Sequence, residues 1–347
     1  MERAEALAIL AQESRVVPEG EAFTVRHFEP DDAPGVARLF YTVYGDGYPI
    51  DTFYIPERLT EENRRGSVRS VVARTDAGDV VAHVAFYRSS APNPTLYEYG
   101  LGLSLPAYRS TMAFFRTTRL IMDLVGKDGI DGIFGEAVCN HIITQKLSKH
   151  AHGQETALEP ALMPARAYEA EQSAEGRVGC LVYSRIDRDC RRMLHVPAAY
   201  RDELTFLLDG LNLDRELVVA DGGPASGEGA VEVQRFDSAG VARCTVVAPG
   251  AHLAAQLSEL ERDLRRDEYA LIQCFVDLGK PWSGGVTELL RSQGYSLGGL
   301  LPIWFGDDGL LMQKHFVDPD FGSLQIYSDR GRRLVEMVKR DWERSNR

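Results

Sequence analysis

The stretch TLYEYGLGLSLPAYRSTMAFFRTTRLIMDLVGKDGIDGIFGEAVCNHIITQKLSKHAHG, residues 95–153, decides the fold. Residues 96–105 are a largely apolar, aromatic-rich run of the length of a buried strand. Pro106 closes it, because proline has no N–H to give to a ladder. From 111 to 125 the apolar residues take a helical period, with Met112, Phe115, Leu120, Met122 and Leu124 among them, and Gly126 and Gly129 stop the helix. Residues 130–138 predict a second strand, and Asn140 is placed to cap a second helix. Such a unit leaves the N-terminus of its first helix open beside a strand end, where free backbone N–H groups favour a phosphate.

The order strand, Leu-x-Pro, Arg, helix, strand, Asn-started helix resembles the core of the GNAT N-acyltransferase superfamily, and LSLPAYR at 103–109 is similar to the end of that family's splayed central strand. In element order the resemblance spans residues 23–165. It implies an α/β domain, a mixed sheet flanked by helices, that takes acetyl-CoA or another acyl-CoA as co-substrate. It implies donor contacts along Leu103 and Leu105, in a loop over Arg109, Ser110, Thr111, Met112, Ala113 and Phe114, and at Asn140. The family's phosphate loop reads Q/R-x-x-G-x-G/A. Arg109 fits its first place, while Met112 and Phe114 stand where glycines would let backbone N–H groups approach a pyrophosphate.

Working outward, the chain has 347 residues, enough for about two domains at roughly 100–200 residues each. With 44% hydrophobic residues it can build real cores. The formal net charge of −12 and the absence of a long basic run argue against nucleic acid, whose affinity depends on neutralising phosphates. Five cysteines without CxxC or metal spacing, and no secretory leader, point to a reducing compartment, the cytoplasm. No apolar run approaches ~20 residues, so no membrane span is expected.

Residues 3–12 predict a leading helix and 23–28 a first strand. Glu29-Pro30-Asp31-Asp32 starts a helix running to about Tyr44. The stretch 44–59 that follows is dense in Tyr, Gly and Pro. In GNAT proteins this segment helps form the acceptor pocket, so Tyr44, Tyr48 and Tyr54 are the implied acceptor contacts; the other reading is an aromatic loop covering the core edge. Residues 68–74, 80–88 and 96–105 predict an antiparallel meander. His83, inside its second strand, reads as a sheet residue rather than a catalyst.

After the central unit, 155–164 and 178–186 predict closing strands around a polar stretch, 169–177. The plan then recurs: hairpin, strand-Pro, helix, strand, helix, closing hairpin. The elements are strands 217–220 and 231–236 flanking a hairpin loop at 222–229, strand 242–247, helix 252–265, strand 269–277, helix 286–293, and strands 295–305 and 310–317. This supports two tandem GNAT-like domains, an N-terminal, active one at 1–190 and a degenerate one at 191–347 that ends in an amphipathic basic helix, 332–344.

Acyl transfer to an amine needs a base for the amine, a donor for the carbonyl oxygen and a proton for the leaving thiolate. The resemblance places the carbonyl donor near residues 102–105. Glu98, a lone carboxylate between Tyr97 and Tyr99, is the first candidate base, with Glu136 and His141 as further candidates. The leaving-group tyrosine of many family members has no counterpart near Leu147 and Ser148, and Tyr108 is the substitute. His141, His150 and His152 lack the spacing of a metal set, so no metal is expected. The expected function is transfer of an acetyl or other acyl group from a CoA thioester to a small-molecule amine. Two alternatives stay open: a carrier-protein acyl donor, or a non-catalytic binding or regulatory module.

Overall fold

The structure is a computed structural model and describes residues 1–13, 16–165, 176–220 and 227–346. The predicted polar stretch 169–177 and the glycine-rich loop 222–229 lie largely outside these residues. The chain divides into two compact units, Met1–Ile133 and Phe134–Arg347.

In the first unit, α1 (Arg3–Gln12) precedes β1 (Phe23–His27), α2 (Ala33–Tyr44), α3 (Pro56–Arg65), β2 (Val68–Thr75), β3 (Val80–Tyr87), β4 (Leu96–Ser104) and α4 (Ala113–Met122). The four strands form an antiparallel sheet in the order β1-β2-β3-β4. Successive strand residues face opposite sides. His83 meets the rings of Phe40 and Phe53, so α2 covers its face, whereas Val84 and Gly102 face Phe114 of α4. The entry to α2 follows the sequence: Glu29 and Asp32 form a capping box. Asp32 is fully buried, and its Oδ1 accepts from Arg26 at 2.9 Å and Arg74 at 2.8 Å.

Two expectations need correction here. Residues 56–65 are a helix, α3, with Pro56 in its first turn and Gly66 left-handed after its end, and not a continuation of the aromatic loop. In α4 the buried positions are Ala113, Thr117, Ile121 and Met122, while Met112 and Phe115 are 56% and 50% exposed. The helix is shorter than the expected 111–125, and of the apolar residues named for it Met122 is buried.

The chain enters the second unit along β5 (Gly132–Val138). It continues through α5 (Ile143–His150), β6 (Gln154–Met163), β7 (Val178–Ile186), β8 (Arg192–Pro197), α6 (Arg201–Leu208), β9 (Arg215–Ala220), β10 (Ala230–Phe236) and β11 (Val241–Ala248). Then come α7 (Leu253–Arg266), β12 (Leu271–Asp277), α8 (Ser283–Ser292), β13 (Ser296–Leu301), β14 (Gly309–His315) and α9 (Asp329–Ser345). The strand order in this unit is β5-β7-β6-β13-β14-β12-β11-β10. The repeated plan is visible in it: β5 leads through α5 to the β6-β7 hairpin, with β7 beside β5. β12 leads through α8 to the β13-β14 hairpin, with β14 beside β12. The two hairpins meet where Gly299 pairs with Ala157. Gly299 has φ 143°, and a Cβ there would lie 2.4 Å from the Thr156 carbonyl oxygen, so only glycine fits the seam.

The strands flanking 222–229 do not form the expected hairpin. β9 pairs in parallel with β8, a strand missed from sequence, in a separate two-stranded ribbon, and β10 pairs with β11.

Candidate active site

β4 carries the site in the first unit. Its pairing with β3 runs Tyr87↔Glu98, Phe86↔Tyr99 and Ala85↔Gly100, then slips so that His83 opposes Leu103. The slip is a bulge at Leu101, which adopts φ 54°. A leucine in this region is strained and must be held. His83 holds it. The ring is fully buried, and its Nδ1 lies 2.9 Å from the Leu101 carbonyl oxygen and its Nε2 3.0 Å from Ser70 Oγ. The carbonyl only accepts, so Nδ1 carries the proton and Nε2 accepts from the serine. Asn63 of α3 braces Ser70 in turn, through a 2.9 Å bond from the Ser70 amide. The expectation of a sheet histidine holds, and what it does there is fix the bulge.

Burial lowers the His83 pKa to about 4 from an ordinary 6.5. The unfolded chain protonates this residue near pH 6.5 and the folded site near 4, so its stability is complete above about 6.5 and is lost as pH falls between the two. The difference corresponds to about 3 kcal/mol. Melting temperature measured from pH 7 to 4.5 should fall, and more shallowly in His83→Gln than in the wild type; equal slopes would show that His83 does not titrate this way.

Glu98 points to the His83 face, half-buried, and accepts a short hydrogen bond from the Tyr87 hydroxyl. The aromatic loop gathers on the same face. Phe40 stacks on Phe53 at 4.7 Å and meets Tyr48 at 5.0 Å, and Tyr48 meets Tyr44 at 5.2 Å. The Tyr48 hydroxyl is pushed well above its ordinary pKa, first by burial and then by Tyr44 and Glu98. Tyr44 and Glu98 thus both lie near the Tyr48 hydroxyl, and Tyr44 is 45% exposed. Tyr54 sits beneath them, fully buried, its hydroxyl donating to Gly45 O at 2.8 Å and accepting from the Tyr48 amide at 3.0 Å. It braces the loop rather than lining it.

The other predicted residues scatter. Tyr108 is fully buried, and its hydroxyl donates to Pro18 O at 2.8 Å, which commits it to the core. Leu103 and Leu105 are buried, while Arg109 and Ser110 are exposed. Thr111 Oγ1 accepts from the Ala113 amide at 3.2 Å and so occupies the first N–H of α4. The Phe114 ring lies against Gly102, 2.8 Å from where a Cβ would stand. One amide of this loop is thus bonded within the chain, and the Phe114 ring is packed on the sheet.

In the second unit α5 begins at Ile143 with Ile142 as its cap residue, so Asn140 is not the cap. His141, one residue before that cap, accepts from the Ile143 amide through Nδ1 at 3.3 Å. Glu136 is paired with Arg243 at 3.0 Å. In the second repeat, β8 lies beside the end of β12. β11 and β12 pair from Val241 to Thr245, and beyond that the His195 amide of β8 donates to Leu278 O at 2.7 Å. Leu194 and Val196 are fully buried there. At the start of α7, Gly229 packs on Gly250, and the Ala251 amide donates to Gly227 O. Among the described residues no cluster of three or more His, Cys, Asp or Glu could hold a metal, and no helix is long and apolar enough to cross a membrane.

Solved structures similar to this chain include the ribosomal-protein-S5-alanine acetyltransferase from Vibrio fischeri, at 13% identity, 50% of this chain, 98% of that one and TM-score 0.39. The spermidine/spermine N-acetyltransferase SpeG from Vibrio cholerae is similar at 14% identity, 48% of this chain, 92% of that one and TM-score 0.36. So is yncA from Salmonella typhimurium, solved with its cofactor acetyl-CoA, at 13% identity, 49% of this chain, 96% of that one and TM-score 0.39. No protein-family model matches the sequence. No curated protein matches it. The GNAT-like order expected over residues 23–165 is present in the chain itself: β1, α2, a β2-β3-β4 meander, α4, β5, α5 and β6, with β7 following.

Proposed function

We propose that the first unit is an amine N-acyltransferase site acting on a thioester. The observation that carries this reading is the juxtaposition on β4 of a bulged backbone at Leu101 and a half-buried carboxylate at Glu98, facing an aromatic loop. Tyr44 and Tyr48 offer ring faces and Glu98 a negative charge, which suits a small amine arriving as its cation. Glu98 accepts the amine proton as the C–N bond forms. The amides at and after the bulge supply the donor for the thioester oxygen as it gains charge. Fold by itself does not fix a reaction, so the proposal stands on these residues.

The acyl donor has two readings. Acyl-CoA is the donor that the resemblance implies and that yncA binds. A carrier-protein thioester is favoured by Phe114 on Gly102 and Thr111 on the Ala113 amide, because a donor gripped elsewhere does not need that cradle. Calorimetric titration with CoA separates them. Weak binding by the wild type, with a gain of about tenfold in Met112→Gly/Phe114→Gly, is expected if crowding is the obstacle; no gain would rule crowding out. Release of thiol in the presence of a panel of small amines tests the reaction itself.

A further inference from the structure

We infer that Tyr87 and Glu98 form a proton-passing pair, with Tyr87 as the acid that protonates the leaving sulfur. This rests on the acyl-transfer reading above and adds a residue that neither the sequence nor the resemblance singled out.

The pair is set by strand register. Tyr87 stands directly across β3-β4 from Glu98, on the same face, so the hydroxyl reaches the carboxylate without any flexible segment between them. Cross-strand partners are the closest side chains a sheet provides. The Tyr87 ring also leans over Gly100: a Cβ on Gly100 would lie 3.2 Å from Tyr87 Cε1 and 3.3 Å from its hydroxyl oxygen. The hydroxyl therefore sits between the carboxylate of Glu98 and the backbone one residue before the bulge at Leu101. That is the span between the attacking nitrogen and the polarised carbonyl. Tyr108, the tyrosine expected to act as acid, is bound to Pro18 in the core, whereas the Tyr87 hydroxyl is bonded directly to Glu98.

The protons balance as follows. The amine loses its ammonium proton to water and attacks as RNH2. A C–N bond forms, and Glu98 takes one proton from the nitrogen. The C–S bond breaks, and the sulfur leaves with the electron pair and takes the Tyr87 hydroxyl proton. The Tyr87 oxygen then recovers a proton from Glu98 along their existing hydrogen bond. Amine and thioester become amide and thiol, and the pair returns to its starting state.

The test compares leaving groups. The full-length wild type and Tyr87→Phe are assayed for amine-dependent thiol release with an alkyl thioester and with the thiophenyl ester of the same acid. A thiophenolate leaves without help from an acid, whereas an alkyl thiolate needs one. Tyr87→Phe is expected to lose about 10²-fold in kcat on the alkyl thioester and less than threefold on the thiophenyl ester. A second variant, Gly100→Ala, which presses on the ring without removing the hydroxyl, is expected to show a smaller loss of the same pattern. Equal losses on both esters would reduce Tyr87 to a structural role and overturn the inference, as would full activity of Tyr87→Phe on the alkyl ester. A wild type inert on both esters with every amine would instead remove the acyl-transfer reading, and the inference with it.

Discussion

Glu98→Gln is expected to lower kcat for amine acylation by about 10²–10⁴-fold while leaving the melting temperature within a few degrees of the wild type. Glutamine keeps the shape of the side chain and can still accept from the Tyr87 hydroxyl. It cannot take a proton from the amine nitrogen, so the loss falls on the chemical step. KM for the amine is expected to rise as well, because the carboxylate is also the negative charge that the aromatic loop offers a cation. Raising the pH until the amine is neutral in solution supplies only the first deprotonation and should recover little of kcat. Steady-state assays at two pH values read all three outcomes. Turnover within a few-fold of wild type at neutral pH would sink the base assignment and leave the carboxylate as a binding group.

Much of this site is readable from sequence, and the unreadable part has physical causes. The meander, the capped α2, α4 and β5 follow from period, proline and capping residues, which are local signals. Glu98 stands out because a carboxylate in an apolar strand is costly unless used. The bulge also has a local mark: Gly100 and Gly102 flank Leu101, and glycine inside a strand signals a bulge or a close approach. What no local signal carries is register. The slip that places His83 on the Leu101 carbonyl, and the pairing that sets Tyr87 against Glu98, join residues on different strands. The same limit explains β8, whose partner β9 lies parallel to it across an intervening helix. It also explains Tyr108, which is adjacent in sequence to the expected donor loop but is spent on Pro18, 90 residues away. Met112 and Phe114 show the converse. Their residue types alone, in places where the resembling family has glycines, marked the departure, and the side of the sheet that the Phe114 ring covers, over Gly102, is what the sequence left out.

The largest expected stability effect lies in the second unit, at Arg215. Its side chain is 2% exposed and bridges two carboxylates: Nε donates to Asp308 Oδ2 at 2.7 Å, and Nη1 to Asp189 Oδ2 at 2.8 Å. Asp308 is fully buried in the turn between β13 and β14 and also accepts from the Ile303 amide at 2.8 Å. This clasp ties β9, and through it the ribbon, to the end of the closing hairpin. Removing one partner of a buried pair leaves the other as an uncompensated charge and costs about 3–5 kcal/mol. Arg215→Ala should accordingly lower the melting temperature by on the order of 10 °C for a unit of this size. Lysine keeps the charge but lacks the planar fork that serves two carboxylates, so Arg215→Lys should fall in between. Arg215→Ala/Asp308→Ala removes the stranded charge and should be more stable than Arg215→Ala alone, although the Ile303 amide then loses its acceptor. Hydrogen exchange should locate the loss in β8 and β9, the two strands of the ribbon. A melting shift under about 2 °C for Arg215→Ala, or exchange rising evenly over the unit, would mean that the ribbon is held by the packing of Leu194 and Val196 and not by the clasp.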